Sequence, residues 1–222
     1  MSTIFGDQSD PSIPETLSGK QHGKNQTLTG IDNEANTLVG DVDTITDKAK
    51  GGNDDLTGGN NSNVSFLSNT LAGDAITMSG SARGGNDTLI GGDYSGSSNV
   101  IGTSSLVRNF LTGDAFDMSG SAHGGNDALI GGNNTGIGSS FSSSFFVVNN
   151  YLAGDVADGN MSDSARGGND TLKALFRHWA AASYPRSSGG CNSTYWGAVF
   201  PARCGLAFPK FGFRALQSAT IC

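Results

Sequence analysis

The stretch Asn69-Thr-Leu-Ala-Gly-Asp74, followed shortly by Gly84-Gly-Asn-Asp-Thr-Leu89, decides how this chain folds. Both halves recur four times. Asn-x-Leu-x-Gly-Asp stands at residues 36–41, 69–74, 109–114 and 150–155, and Gly-Gly-Asn-Asp-x-Leu at 51–56, 84–89, 124–129 and 167–172. Leu38 to Leu56, Leu71 to Leu89 and Leu111 to Leu129 are each 18 residues apart, and Leu152 to Leu172 is 20. A period of this kind marks a stack of like units rather than a globule built round one cleft.

Between the leucines of each step lies a second apolar spot: Ile45, then Ile76 and Met78, then Phe116 and Met118. Each spot predicts a short strand with its apolar side chains turned inward. Parallel connections wind right-handed. The predicted fold is therefore all-β, a right-handed parallel β-roll or β-solenoid of about 18-residue coils. Irregular inserts at 60–68, 93–108 and 133–149 interrupt it, and their apolar spots predict extra strand that lengthens a coil. An 18-residue register would align Asn36 with Asp54 and Asn69 with Asp87. One rim would then alternate Asn with Asp, and the other would alternate Asp41, Asp74, Asp114 and Asp155 with Gly59, Gly92 and Gly132. Alternation of this sort spares carboxylates about 4.8 Å apart from facing one another.

Three regions follow. Residues 1–35 form an N-terminal lead-in or cap with two weaker echoes, Thr16-Leu-Ser-Gly19 and Thr27-Leu-Thr-Gly30; 36–172 form the repeat region; 173–222 form a basic, Cys-containing tail. The charge is split accordingly. All 20 acidic residues precede Leu172, against seven bases, whereas the tail has six bases and no acid. Almost all the acidity is Asp, which suits turns and cations and argues against nucleic acid as a partner of the repeats. In the tail, Leu172, Leu175, Phe176 and Trp179 fall at helical spacing and predict a capping helix over 171–183, followed by a poorly ordered remainder. Cys191, Cys204 and Cys222 allow one bridge at most, Cys191 to Cys204 being one pairing. The N-terminus has neither the basic nor the apolar run of a cleaved signal, and no segment is apolar enough to span a membrane.

Gly-x-Asp-x-Leu, in Gly85-Asn-Asp-Thr-Leu89 and its three copies, resembles the calcium-binding nonapeptide of the repeats-in-toxin (RTX) family. The resemblance covers about residues 36–172. It implies a glycine-rich turn at Gly52, Gly85, Gly125 and Gly168, calcium held by turn carbonyls and by Asp54, Asp87, Asp127 and Asp170, and a leucine filling the core. The second acidic column, Asp41, Asp74, Asp114 and Asp155, joins them as candidate ligands. The pattern departs from the family where its first two glycines fall on Ala49-Lys50, Ala82-Arg83, Ala122-His123 and Ala165-Arg166. Calcium takes 6–8 oxygen ligands and tolerates backbone carbonyls, which suits such turns.

No catalytic constellation stands apart from the repeat: His-Glu-x-x-His, Gly-x-Ser-x-Gly and a phosphate loop are all missing from the sequence. The three histidines share no zinc-ligand spacing. The sequence thus reads as a non-enzymatic, secreted or cell-surface calcium-binding β-roll with calcium-coupled folding and a structural or adhesive role. Its partners would be calcium ions, with cell-surface polysaccharide or further copies of itself as possible contacts, and its export would be of the type I kind that the resemblance implies. Two other readings stay open: a C-terminal repeat module of a larger exported enzyme, and a metal-free β-solenoid that binds polysaccharide or ice.

Overall fold

The computed structural model describes residues 2–7, 15–98, 104–138, 145–156, 161–173, 175 and 219–221. The chain travels in successive coils. The first carries β1 (Ser2–Phe5), β2 (Thr16–Leu17) and β3 (Thr27–Thr29), and the second β4 (Asn36–Val39), β5 (Val42–Ile45) and β6 (Asp55–Thr57). The third has β7 (Phe66–Ala72), β8 (Ala75–Met78), β9 (Thr88–Ile90) and the short β10 (Ser97–Ser98). The fourth repeats this plan with β11 (Ser104–Thr112), β12 (Ala115–Met118), β13 (Ala128–Ile130) and β14 (Ile137–Gly138). The fifth carries β15 (Phe145–Ala153) and β16 (Thr171–Lys173), and β17 (Ala219–Ile221) pairs with β15 at the end of the stack.

Every strand pairing is parallel and joins like to like. Three sheets run the length of the stack in the orders β1-β4-β7-β11-β15-β17, β2-β5-β8-β12 and β3-β6-β9-β13-β16, with β10 and β14 paired beside them. Among the described residues there is no helix. Residues 171–173, predicted as the start of a capping helix, form β16 instead, because Thr171, Leu172 and Lys173 continue the register of Ala128, Leu129 and Ile130. The rest of that predicted helix, apart from Leu175, lies outside the described residues, as do Cys191 and Cys204.

The coil length corrects the 18-residue expectation. Stacked partners lie 34 or 28 residues apart between the first two coils, then 33, then 40, then 41 or 43. Leu38 pairs with Leu71, and Leu56 with Leu89. Eighteen residues carry the chain only from the first sheet to the third. The segment between, Val42–Ile45 and its equivalents, builds a sheet of its own, so a coil has three sides. The inserts lengthen the first side: β7 has 7 residues and β11 and β15 have 9, where β4 has 4.

Inside, the leucines of the first and third sheets meet in one spine of Leu38, Leu56, Leu71, Leu89, Leu111, Leu129 and Leu152, all buried. A fully buried leucine is worth about 1.5–3 kcal/mol. A second column of Ile45, Met78 and Met118, with Ala49, Ala82 and Ala122, lines the second sheet. Under the inserts Tyr94 stacks on Phe146, ring centroids 4.7 Å apart. Coils approach so closely at Gly85 that an added Cβ would overlap the carbonyl oxygen of Gly52, and Gly125 meets Gly85 in the same way. Only glycine fits there, which explains the recurring Gly-Gly.

Candidate metal centre

Three columns of polar side chains run inside this stack, and they differ in how well they are satisfied. The first is asparagine. Asn36, at the head of its strand on the first sheet, donates from Nδ2 to Oδ1 of Asn69 at 3.0 Å; Asn69 donates to Asn109 at 2.9 Å, and Asn109 to Asn150 at 2.9 Å. Each Oδ1 also accepts an N–H from the glycine turn beyond the third sheet: Gly59 for Asn69, Gly92 for Asn109 and Gly132 for Asn150. An amide both donates and accepts, so identical amides stack without leaving a group unpaired.

The other two columns are aspartate. Asp41, Asp74, Asp114 and Asp155 sit at the corner between the first and second sheets, fixed by the Gly-Asp that ends each first-sheet strand. Each accepts an N–H from the glycine turn that leads into the third sheet: Gly52 at 2.9 Å, Gly85 at 3.0 Å, Gly125 at 2.7 Å and Gly168 at 2.5 Å. The resemblance predicted those glycines as sources of carbonyl ligands; here their N–H groups serve the carboxylates. Asp54, Asp87, Asp127 and Asp170 follow the same turn. Their ladder runs through the backbone, the N–H of Asp54 meeting Oδ1 of Asp87, that of Asp87 meeting Asp127, and that of Asp127 meeting Asp170, at 2.7–2.9 Å.

The alternating rims predicted from an 18-residue register are thus replaced by unmixed columns. Asp stacks on Asp and Asn on Asn, because in-register pairing returns each side chain to its own kind. Gly59, Gly92 and Gly132 lie against the asparagine column, not between the aspartates. The consequence is crowding of acid rather than relief of it. One carboxylate oxygen each from Asp41, Asp54 and Asp74 all lie within 4.8 Å of one another.

This acid is buried and incompletely paired. Asp41, Asp54, Asp74, Asp87, Asp114 and Asp127 expose 3 % of their surface or less. Oδ1 of Asp41 and Oδ2 of Asp54, Asp87, Asp114 and Asp127 have no hydrogen-bond partner among the described residues. Burial, reinforced by neighbouring carboxylates, pushes Asp54 and Asp127 up to about 7, Asp41 to about 8 and Asp87 to about 10. Asp74 and Asp114 are raised well above the ordinary carboxylate range by the same causes, and half-buried Asp155 is raised too. Among the described residues no base pairs with them; the one ion pair, Lys24 with Asp7, sits at the first-coil end of the Asp41 column, where the N–H of Asp7 bonds the Asp41 carbonyl.

Orphaned oxygens on buried carboxylates in twin rows fit a hard divalent cation. They suit zinc less well, since its protein sites are built mainly on nitrogen and sulfur and among the described residues neither His nor Cys joins the cluster. The asparagine column was missed as a separate feature by the sequence reading, although one signal distinguished it. Leu38 is followed by Val-Gly-Asp41 and Leu56 by Thr-Gly-Gly59, so the two halves were never equivalent. Comparison with family models, curated proteins and solved structures found no match.

Proposed function

We propose that this chain is a calcium-binding β-solenoid of structural or adhesive role whose folding is coupled to the ion. The observation that carries the reading is the five partnerless carboxylate oxygens buried in the two aspartate columns. Leaving a buried polar atom unsatisfied costs about 1–3 kcal/mol, and more for a charge. An arrangement that repeats this defect coil after coil is explained when a cation completes it. Calcium, when bound, supplies the positive charge the columns lack. The chain's part is to hold Asp41, Asp74, Asp114 and Asp155 against Asp54, Asp87, Asp127 and Asp170, with the glycine N–H groups fixing their orientation.

We assign a right-handed winding, the sense parallel connections favour. The resemblance to repeats-in-toxin proteins supports a location outside the cell, where calcium is abundant and the ion-bound state is stabilised by mass action. Among the described residues no helix is long and apolar enough to cross a membrane. A non-enzymatic role accords with polar columns that are all absorbed by the repeat. A metal-free solenoid is favoured by one observation, the fully satisfied asparagine column, but it accounts for that column alone and leaves the aspartates unexplained.

The test is calcium titration of the full chain by calorimetry and far-ultraviolet circular dichroism. Uptake with a gain of β signal, and a midpoint raised by roughly 8 °C or more at about a thousandfold excess over Kd, is expected. Millimolar calcium that produces neither heat nor spectral change overturns the reading.

A further inference from the structure

We infer that the outer side of the turn leading into the third sheet is a binding groove for a linear anionic polysaccharide. Backbone bridges link His22 to Lys50, Lys50 to Arg83, Arg83 to His123 and His123 to Arg166. They set one basic side chain on each coil, in single file along the stack, and all are exposed. Coils follow one another at about 4.8 Å, so the file presents basic side chains at a regular short repeat. Among the described residues none of these side chains pairs with a carboxylate, and the ion pair there is Lys24 with Asp7.

A second file runs beside the first. The N–H of Asn53 meets Oδ1 of Asn25, that of Asn86 meets Asn53, that of Asn126 meets Asn86 and that of Asn169 meets Asn126, at 2.7–2.9 Å. These contacts fix the amides while leaving each exposed Nδ2 at least one proton for a ligand. Between the files lies an open groove of about 420 Å³ lined by Lys50, Arg83, His123, Asn86 and Asn126, with Gly84, Gly124 and Gly125 as its floor. Glycine floors let a polymer lie close to the backbone. Charge-assisted hydrogen bonds from the bases suit sulfate or carboxylate groups, and the amides suit hydroxyls.

Nucleic acid fits less well. No Phe, Tyr or Trp lines the groove for bases to stack on, and the remainder of the repeat region is acidic. The inference stands apart from the calcium reading, because the basic file lies outside the turn and the aspartates inside it.

The experiment measures binding of dextran sulfate, short oligogalacturonate and neutral dextran to the full chain by calorimetry, at two salt concentrations. Alongside wild type run the triple variant K50Q/R83Q/R166Q and a control, K20Q/K48Q/R108Q, which removes as many exposed bases elsewhere. Binding of at least one acidic glycan, silence with neutral dextran, a loss of roughly tenfold or more in the groove variant with a shallower salt slope, and less than about threefold in the control, is expected. Which acidic glycan binds then identifies sulfate or carboxylate as the group recognised. Equal loss in both variants, no binding of either acidic glycan, or equal affinity for duplex DNA or polyglutamate overturns the inference. Calcium heats recorded on the same samples keep this outcome separate from that of the metal reading.

Discussion

The backbone N–H of Asp54 donates to Oδ1 of Asp87 on the next coil at 2.7 Å, and the second oxygen of Asp87 meets no donor. Half of that carboxylate builds the solenoid and half is left over. The same division recurs at Asp127, whose Oδ1 serves Asp87 while its Oδ2 is orphaned.

Asp87→Asn separates the two halves. Asparagine keeps the oxygen that receives Asp54 and removes the cost of holding Asp87 protonated, a cost set by burial first and then by Asp127, Asp54 and Asp114. The calcium-free protein is expected to gain about 1–2 kcal/mol, seen as a midpoint several degrees higher. Calcium affinity should fall roughly tenfold or more, since charge count sets the strength of such sites. Differential scanning calorimetry with and without calcium reads both; a variant less stable in the absence of the ion contradicts the repulsion argument.

Asn69→Asp is the mirror experiment. Nδ2 of Asn69 donates to the Gly59 carbonyl at 2.9 Å and to Asn109 at 2.9 Å, and a carboxylate can make neither bond. A loss of about 3 kcal/mol or more is expected in denaturant unfolding. The number of calcium ions taken up should not change. A stable variant would show that the asparagine column contributes little.

The raised carboxyl pKa values fix the direction of the pH dependence. In the unfolded chain these groups release their protons near 3.8, while folded Asp54 and Asp127 hold theirs to about 7 and Asp41 to about 8. The calcium-free fold is therefore most stable below about pH 4 and loses stability as pH rises through 7 and 8, by on the order of several kcal/mol. Calcium competes with those protons, so its apparent affinity should weaken as pH falls below 7. Thermal midpoints at pH 5, 6, 7 and 8 should decline without calcium and hold or rise with it. A calcium-free midpoint that climbs with pH contradicts the assignment.

Two glycines should respond differently to alanine. At Gly85 the new Cβ strikes the Gly52 carbonyl, so Gly85→Ala is expected to abolish the cooperative transition whether or not calcium is present. Gly19, with φ +65° and open space around it, carries only the left-handed backbone penalty. Gly19→Ala should cost about 1–2 kcal/mol. Leu71→Ala, in the middle of the leucine spine, should cost about 2–5 kcal/mol by opening a cavity. Circular dichroism melts of the three variants check the order.

Much of this was legible in the chain. The inward leucines, the packing role of Met78 and Met118 and the lengthening of coils by the inserts around Phe66 and Phe145 all follow from alternation and periodicity. The stacking vector was misread because Leu38 and Leu56 both point inward and both follow an Asn or Asp two residues earlier. Spacing between two inward positions cannot tell opposite walls from successive coils. The chemistry after each leucine, Gly-Asp against Gly-Gly, held that distinction. The basic file of Lys50, Arg83, His123 and Arg166 read as four departures from a motif; it becomes a single feature only when the bridges align it.

By itself the sequence determined which side chains turn inward, where glycine is obligatory and that acid recurs in step with the turns, since these depend on local backbone geometry and on two-residue alternation. Only the tertiary structure decided that the winding closes after 33 to 43 residues in the repeat region, and so that aspartate lies over aspartate. Parallel pairing between distant segments sets that register, because amides and leucines gain most when stacked on their own kind. The same register gathers mutually repelling carboxylates into columns that could hold a cation.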